Sequence, residues 1–229
     1  APLLSDQSIV ICSKGFSADG RLLSSIVEEE VSGKVYCLYG PTHAEEVGKG
    51  MFSGVVLAGE IVGVKELAKV FQRDVFKVHL SDDIIGVQVC AALKNIFAVF
   101  IGVLDGMKLG DNAKAYVMTQ GLNEIKQMGE KMGAKAETFY GLAGLGDLIV
   151  TCTSTHSRNR FVGQEVGKGR KLDEVLAGMS MVAEGVTAVK ISVKLQDKLG
   201  LDLPLIYGLY EILFEGKEPL SILKRSLNN

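Results

Sequence analysis

Between Ser8 and Leu80, short β-branched and aromatic runs alternate with stretches whose apolar residues recur at helical spacing. Ser8–Ser13, Val35–Tyr39, Val55–Ala58 and Phe76–Leu80 read as strands. Gly20–Glu30, the short segment Ala44-Glu45-Glu46-Val47 and Val64–Gln72 read as helices. Strands and helices alternating at this spacing predict βαβ units and a largely parallel sheet. Beyond Leu80 the strand pattern fades. Ser81 followed by Asp82 and Asp83 predicts a helix start, a capping hydroxyl with carboxylates that suit the positive end of a helix dipole. Helical patterns follow at Asn112–Met132, Asn159–Lys168, Leu172–Ala177, Val186–Leu199, Leu205–Leu213 and Pro219–Ser226. The expected architecture is an α/β half over residues 1–80 and an all-α half over residues 81–229.

One apolar run, from about Ile84 to Leu104, interrupts this pattern with two polar side chains. Its centre reads "VCAALKNIFAVF", with Lys94 and Asn95 in the middle. Some 20 apolar residues would span a bilayer. This run, however, also contains Gln88 and follows Asp82-Asp83, and a mid-membrane lysine costs at least ~2.5 kcal/mol on insertion scales. A buried core helix without an integral membrane segment is the better expectation. Lys94 then has two readings. In a dry pocket its ammonium would titrate closer to neutral pH and serve proton transfer; at a helix edge it would snorkel to water. Asn95 points roughly 100° around the helix from it, toward a substrate or a neighbouring backbone.

Composition narrows the function classes. The 229 residues carry a formal net charge of -2, so there is no electrostatic case for nucleic acid. The four cysteines, Cys12, Cys37, Cys90 and Cys152, are widely spaced without a C-x-x-C pair. Their apolar or strand-like settings predict buried free thiols in a reducing cytoplasm. His43, His79 and His156 are the only histidines and none has ligand spacing, which argues against a zinc site. No G-x-S-x-G elbow supports serine hydrolysis.

The 27 glycines contain no G-x-G-x-x-G fingerprint; "GLAGLGDL" spaces Gly141, Gly144 and Gly146 in the reverse order, and "GKGMFSG" has Ser53 where a third glycine would stand. By themselves these glycines serve turns and close helix packing. The segment "GLGDLIVTCTSTHSRNR" gathers Asp147, Thr151, Ser157, Arg158, Asn159 and Arg160 after a glycine-rich turn. With Ser157 as a helix cap, Arg158 and Asn159 fall in the first turn, where free N–H groups and a guanidinium fork suit a phosphate. An ordinary polar loop before a capped helix is the plainer alternative. "CSKGF" puts Lys14 directly after a strand, and "LYGPTHAEE" does the same with Gly40, Thr42 and His43; open α/β sheets collect ligands at such carboxyl ends.

Taken in order, "SKGF", "GPTHAEEV", "IGVQVCAALKNIFA", "GLAGLGDLIVTCTSTHSRNR" and "VAEGVTAVK" resemble NAD(P)-dependent glycerol-3-phosphate dehydrogenases of the bacterial type over essentially the whole chain. The resemblance implies a Rossmann-type nucleotide domain followed by an all-helical domain of the 6-phosphogluconate dehydrogenase C-terminal type. It also implies that the Gly-rich loop and the ribose-reading segment lie outside this sequence, consistent with its abrupt start at Ala1. The chain is expected to be a fragment, inactive or nearly so alone. The implied reaction is reversible reduction of dihydroxyacetone phosphate to sn-glycerol 3-phosphate with NAD(H) or NADP(H), feeding phospholipid synthesis.

By resemblance, Lys94 is the proton donor or acceptor at the C2 oxygen, Lys14 contacts substrate and cofactor, and Asp147 organises the lysines and substrate hydroxyls. Gly40, Thr42, Asn95, Thr151, Ser157, Arg158 and Asn159 fall on the substrate side, with Arg158 also near the cofactor. Ala44, Val182 and Glu184 match cofactor-side positions. A homodimer is the expected assembly. A β-hydroxyacid or 6-phosphogluconate type dehydrogenase and a non-catalytic helical binding or dimerising module are the alternatives.

Overall fold

The computed structural model describes residues 7–155, 157–179 and 183–226. The described residues fall into two compact units. One holds the residues up to Ala92 together with Gly129–Asp147; the other holds Leu93–Met128 and the residues from Leu148 onward.

The first unit is built on four strands, β1 (Ile9–Ile11), β2 (Val35–Tyr39), β3 (Ser53–Ala58) and β4 (Phe76–Ser81), in the order β1-β2-β3-β4. Between them run α1 (Leu23–Glu30), α2 (Ala44–Gly48) and α3 (Ile61–Phe71). The pairs β1/β2 and β3/β4 are parallel, as the βαβ pattern predicts, whereas β2/β3 is antiparallel with Cys37 opposite Ala58 and Tyr39 opposite Val56. The exception has a physical cause. A parallel return needs a crossover of a dozen or more residues, usually a helix. The helix available here, α2, has five residues and rises only ~7.5 Å, so the chain turns back instead.

Alternation along the strands gives the sheet two apolar faces. Ile11, Val35, Cys37, Tyr39, Val56 and Ala58 face one side with Leu23 and Val27 of α1, while Tyr36 and Leu57 face the other with Val64, Leu67 and Phe71 of α3. A sheet covered on both sides needs this pattern.

Helix α1 starts at Leu23 rather than Gly20, because Gly20 takes φ 83° in a turn where its N–H donates to the Ser17 carbonyl. Of the four free cysteines Cys37, Cys90 and Cys152 are buried, but Cys12 is exposed, since β1 ends one residue before it. Burial pushes the Cys37 thiol up to about 12.

The long helix α4 (Ile84–Gly106) is capped by Asp83 rather than Ser81. Asp83 Oδ1 accepts from the Gly86 N–H at 2.8 Å, and Oδ2 accepts from the Lys135 N–H at 2.9 Å and from Thr138 Oγ1 at 2.6 Å. The carboxylate thereby pins a 3₁₀ turn at Ala136–Tyr140 to the start of α4. Every residue from Gly86 to Leu104 is buried. Among the described residues α4 is the one helix long and apolar enough to cross a membrane, and 89% of its most apolar window is buried inside this fold.

The second unit is helical: the later part of α4, most of α5 (Gly110–Lys131), then α6 (Asp147–Thr153), α7 (Arg158–Gly167), α8 (Leu172–Ala177), α9 (Glu184–Leu199), α10 (Pro204–Glu215) and α11 (Pro219–Ser226). Helix α6 and the π turn before it (Leu142–Gly146) occupy sequence that reads as a polar loop; α6 is too short for a clear 3.6-residue period. α4 and α7 meet through glycines on both sides, Gly102 and Gly106 against the Arg160 and Gln164 carbonyls, and Gly163 and Gly167 against those of Val99 and Val103. Neither backbone could approach so closely with side chains there.

Glu124 of α5 closes the far end of this unit. It is 3% exposed, and its two oxygens accept the first free N–H groups of α10, from Leu205 at 2.7 Å and Ile206 at 2.9 Å. Burial, with a smaller push from Asp202, outweighs these bonds and raises its carboxyl to about 7. The folded state therefore keeps a proton that the unfolded chain has lost between about pH 4.5 and 7. This group's contribution to stability falls as pH rises through that window, by an amount on the order of 3 kcal/mol. Urea unfolding at pH 5 and pH 8 should show this slope in the wild type and a flatter one in Glu124→Gln.

Candidate active site

In the first unit the polar groups gather at the carboxyl ends of β1 and β2. Lys14 follows β1, and the loop before it is tied down by Tyr39 of β2, whose hydroxyl donates to the Ser13 carbonyl at 2.5 Å. Burial drives the Tyr39 phenol far above its usual range, so it remains a donor. The Lys14 Nζ lies 3.9 Å from Asp147 Oδ2, with side-chain exposures of 26% and 1%. At that separation the pair is an ion pair rather than a hydrogen bond.

Asp147 opens α6 behind the π turn, an irregularity frequent at functional sites. Gly40 follows β2 and lies against the backbone of Gly54 and Val55, where an added Cβ would sit 3.0 Å from each. The next turn carries Thr42, whose hydroxyl donates to the Gly40 carbonyl at 3.2 Å, and leads to the exposed Ala44 at the start of α2.

In the second unit Lys94 is 4% exposed and Asn95 6% exposed on α4. The ammonium is thus inside the fold, and the reading of Lys94 as a solvated edge residue fails. Asn95 Nδ2 donates to Glu184 Oε2 at 2.9 Å, which leaves its carbonyl oxygen as the acceptor for another group. Asn159 Oδ1 accepts the Gly185 N–H at 2.9 Å, which leaves its amide as a donor. Two asparagines from α4 and α7 therefore hold the first turn of α9. Gly185 makes this possible, since an added Cβ would sit 2.4 Å from the Asn95 backbone carbonyl oxygen.

Thr151, 5% exposed, lies one turn beyond Asp147 on α6. Ser157 caps α7 by accepting the Arg160 N–H at 3.3 Å. Arg158 is exposed and forms no hydrogen bond or ion pair among the described residues; beside it the N–H groups of Arg158 and Asn159 remain open at the helix start. A guanidinium and N–H groups at the positive end of a helix have the chemistry to take an anion. Val182 and His156, named from the sequence, lie outside the described residues.

Sequence reasoning missed Gly185 and named Arg160 only among the polar groups of its segment. Gly185 supplies a backbone donor, and its only signal was a glycine in the first turn of a helix. Arg160 looks like a second phosphate ligand by its spacing, yet its guanidinium is directed elsewhere: Nε reaches Asp105 Oδ2 at 2.6 Å and Nη1 reaches the Thr153 carbonyl at 2.9 Å.

Known proteins have similar sequences. Residues 83–224 match the family profile described as the NAD-dependent glycerol-3-phosphate dehydrogenase C-terminus, and residues 2–62 match the corresponding N-terminus. The chain belongs to the NAD-dependent glycerol-3-phosphate dehydrogenase family.

It is 43% identical over 220 residues to a glycerol-3-phosphate dehydrogenase [NAD(P)+] of Pelodictyon phaeoclathratiforme, covering 93% of this chain and 66% of that protein. It is 44% identical over 219 residues to one from Clostridium tetani, covering 94% and 63%. The crystal structure of the Coxiella burnetii glycerol-3-phosphate dehydrogenase superposes with a TM-score of 0.92 at 34% identity, covering 97% of this chain and 69% of that one. The chain thus spans just under two thirds of the length of these curated relatives. As in those dehydrogenases, a mixed but mainly parallel sheet precedes a helical domain.

Proposed function

We propose that the protein containing this chain is a glycerol-3-phosphate dehydrogenase that reversibly reduces dihydroxyacetone phosphate to sn-glycerol 3-phosphate with NADH or NADPH, supplying glycerophospholipid synthesis. The observation that carries the reading is the burial of Lys94, 4% exposed, in a helix of a chain that belongs to this family. Ketone reduction builds negative charge on oxygen, and an ammonium held away from water stabilises that charge and then delivers its proton.

By the resemblance to this family, Lys94 is the residue that protonates the C2 oxygen, and Lys14, 3.9 Å from Asp147, is the one that contacts substrate and cofactor. Gly40, Thr42, Asn95 and Thr151 border the substrate. The Ser157 hydroxyl, the open N–H groups of Arg158 and Asn159 and the Arg158 guanidinium grip its phosphate, so that remote binding energy orients a three-carbon substrate.

The residues present suit a dinucleotide in part. By the family resemblance Arg158, which also serves the substrate side, falls near the dinucleotide, as do Ala44, Val182 and Glu184. When bound, the nicotinamide supplies the hydride. Residues 1–80 would then serve the nucleotide and residues 81–229 the substrate, in a cytoplasmic homodimer whose thiols Cys37, Cys90 and Cys152 stay reduced.

The test is NADH or NADPH oxidation by the full-length protein, followed at the nicotinamide absorbance. Oxidation should begin only on addition of dihydroxyacetone phosphate; oxidation triggered instead by a β-hydroxyacid or 6-phosphogluconate oxidation product would replace this reading.

A further inference from the structure

Arg158 and Arg160 flank Asn159 at one helix start, and both residue types suit an anion. Only one of them is available to a ligand. We propose that Arg160 is a positioning residue for the phosphate grip: it fixes the end of α6 and the start of α7, and thereby sets where Ser157, Arg158 and Asn159 present their donors.

The Arg160 guanidinium is engaged on two sides. Its Nε donates to Asp105 Oδ2 at 2.6 Å, and its Nη1 donates to the carbonyls of Thr153 at 2.9 Å and Ser154 at 3.4 Å. Those carbonyls belong to the last turn of α6, where a helix leaves acceptors without intrahelical partners. A basic side chain there satisfies them and complements the negative end of the dipole. Asp105, in the last turn of α4, is shared: its Oδ1 accepts Lys114 Nζ at 3.1 Å, and Lys114 also pairs with Asp111 at 2.7 Å.

One guanidinium therefore joins the end of α6, the start of α7 and the end of α4, and through Asp105 reaches the first turn of α5. Side-chain exposures of 25% for Arg160 and 13% for Asp105 keep the pair out of bulk solvent, where such a bond is worth more than at the surface. The backbone on the other side is fixed as well, because the Arg160 carbonyl packs on Gly102 and its N–H caps onto Ser157 Oγ. The planar fork matters. A lysine could reach Asp105 or the carbonyls, but not both at once.

The inference rests on Ser157–Asn159 being the phosphate grip, so its test separates the two. In the full-length protein, wild type, Arg160→Gln, Arg160→Lys and Asp105→Asn are compared in two assays. In steady-state kinetics, Arg160→Gln should raise KM for dihydroxyacetone phosphate by about tenfold to a hundredfold, with kcat changed less than about threefold. Its kcat/KM for unphosphorylated dihydroxyacetone should stay near wild type. Arg160→Lys should fall in between, and Asp105→Asn should shift KM in the same direction. Direct titration with inorganic phosphate, followed by NMR shifts of the α7 amides, should show the same loss of affinity.

A variant that lowers thermal stability and both substrates' kcat/KM equally would make Arg160 a plain brace and overturn the proposal, as would an unchanged phosphate affinity in Arg160→Gln or a wild type that binds no phosphate at α7. A wild type that binds phosphate, loses it in Arg160→Gln and yet does not reduce dihydroxyacetone phosphate would refute the assigned reaction and support the positioning role.

Discussion

Lys94→Ala in the full-length protein is expected to lower dihydroxyacetone phosphate-dependent oxidation of NADH or NADPH by about a thousandfold, while the fold is retained. A positioned proton donor is worth roughly 10²–10⁴ in rate, and charge stabilisation at the developing alkoxide adds to the loss. Lys94 sits in α4 between fully buried neighbours, Leu93 and Ile96, so no water could easily take its place. Lys94→Arg sharpens the test. Guanidinium keeps the charge but does not release its proton at neutral pH, so it too should lose at least ~100-fold if proton transfer is the role. Steady-state kinetics with circular dichroism of each variant decides the matter. A kcat within tenfold of wild type in Lys94→Ala would remove the lysine from the chemistry.

Gly163→Ala should destabilise the helical unit by about 3 kcal/mol or more, lowering the thermal midpoint by roughly 6–12 °C. On propensity alone the change would help, since alanine stabilises a helix interior by about 1 kcal/mol over glycine. Here the added methyl would stand 1.9 Å from the Val99 carbonyl oxygen and 2.8 Å from the Val103 nitrogen. Both neighbours are backbone of α4, so no rotamer change relieves the clash and the helices must part. Gly48→Ala is the control: nothing lies within 4 Å of its added methyl, and the midpoint should not fall. Because α7 carries Arg158 and Asn159, Gly163→Ala should also weaken phosphate binding. Calorimetry of the two variants, with phosphate titration, would show whether close helix approach or glycine content matters.

Much of this was legible in the chain. Period-2 runs placed β2 at Val35–Tyr39 to the residue, and the 3.6-residue pattern did the same for α8 at Leu172–Ala177 and α11 at Pro219–Ser226. Long amphipathic or branched segments announce themselves because local sterics and one-sided burial act on neighbouring residues. The capping role of Ser157 was legible for the same reason, since a cap acts within three residues. The cap of α4 was misread by two positions, as Ser81 and Asp83 are both good caps and the choice fell to Lys135 and Thr138, some fifty residues away. The short helix α6 was hidden because seven residues give no reliable period.

The sequence by itself determined most of the elements, a buried apolar helix carrying Lys94 and Asn95, and the family to which its ordered motifs point. Tertiary structure alone decided that β2 and β3 run antiparallel, that Asn95 and Asn159 hold the start of α9, and that Arg160 braces while Arg158 stays open. The physical reason is range. Propensity, capping and periodicity are set within a few residues, whereas the partner of a guanidinium or a carboxamide is set by whichever donor or acceptor folding brings within 3 Å, and 55 residues separate Asp105 from Arg160.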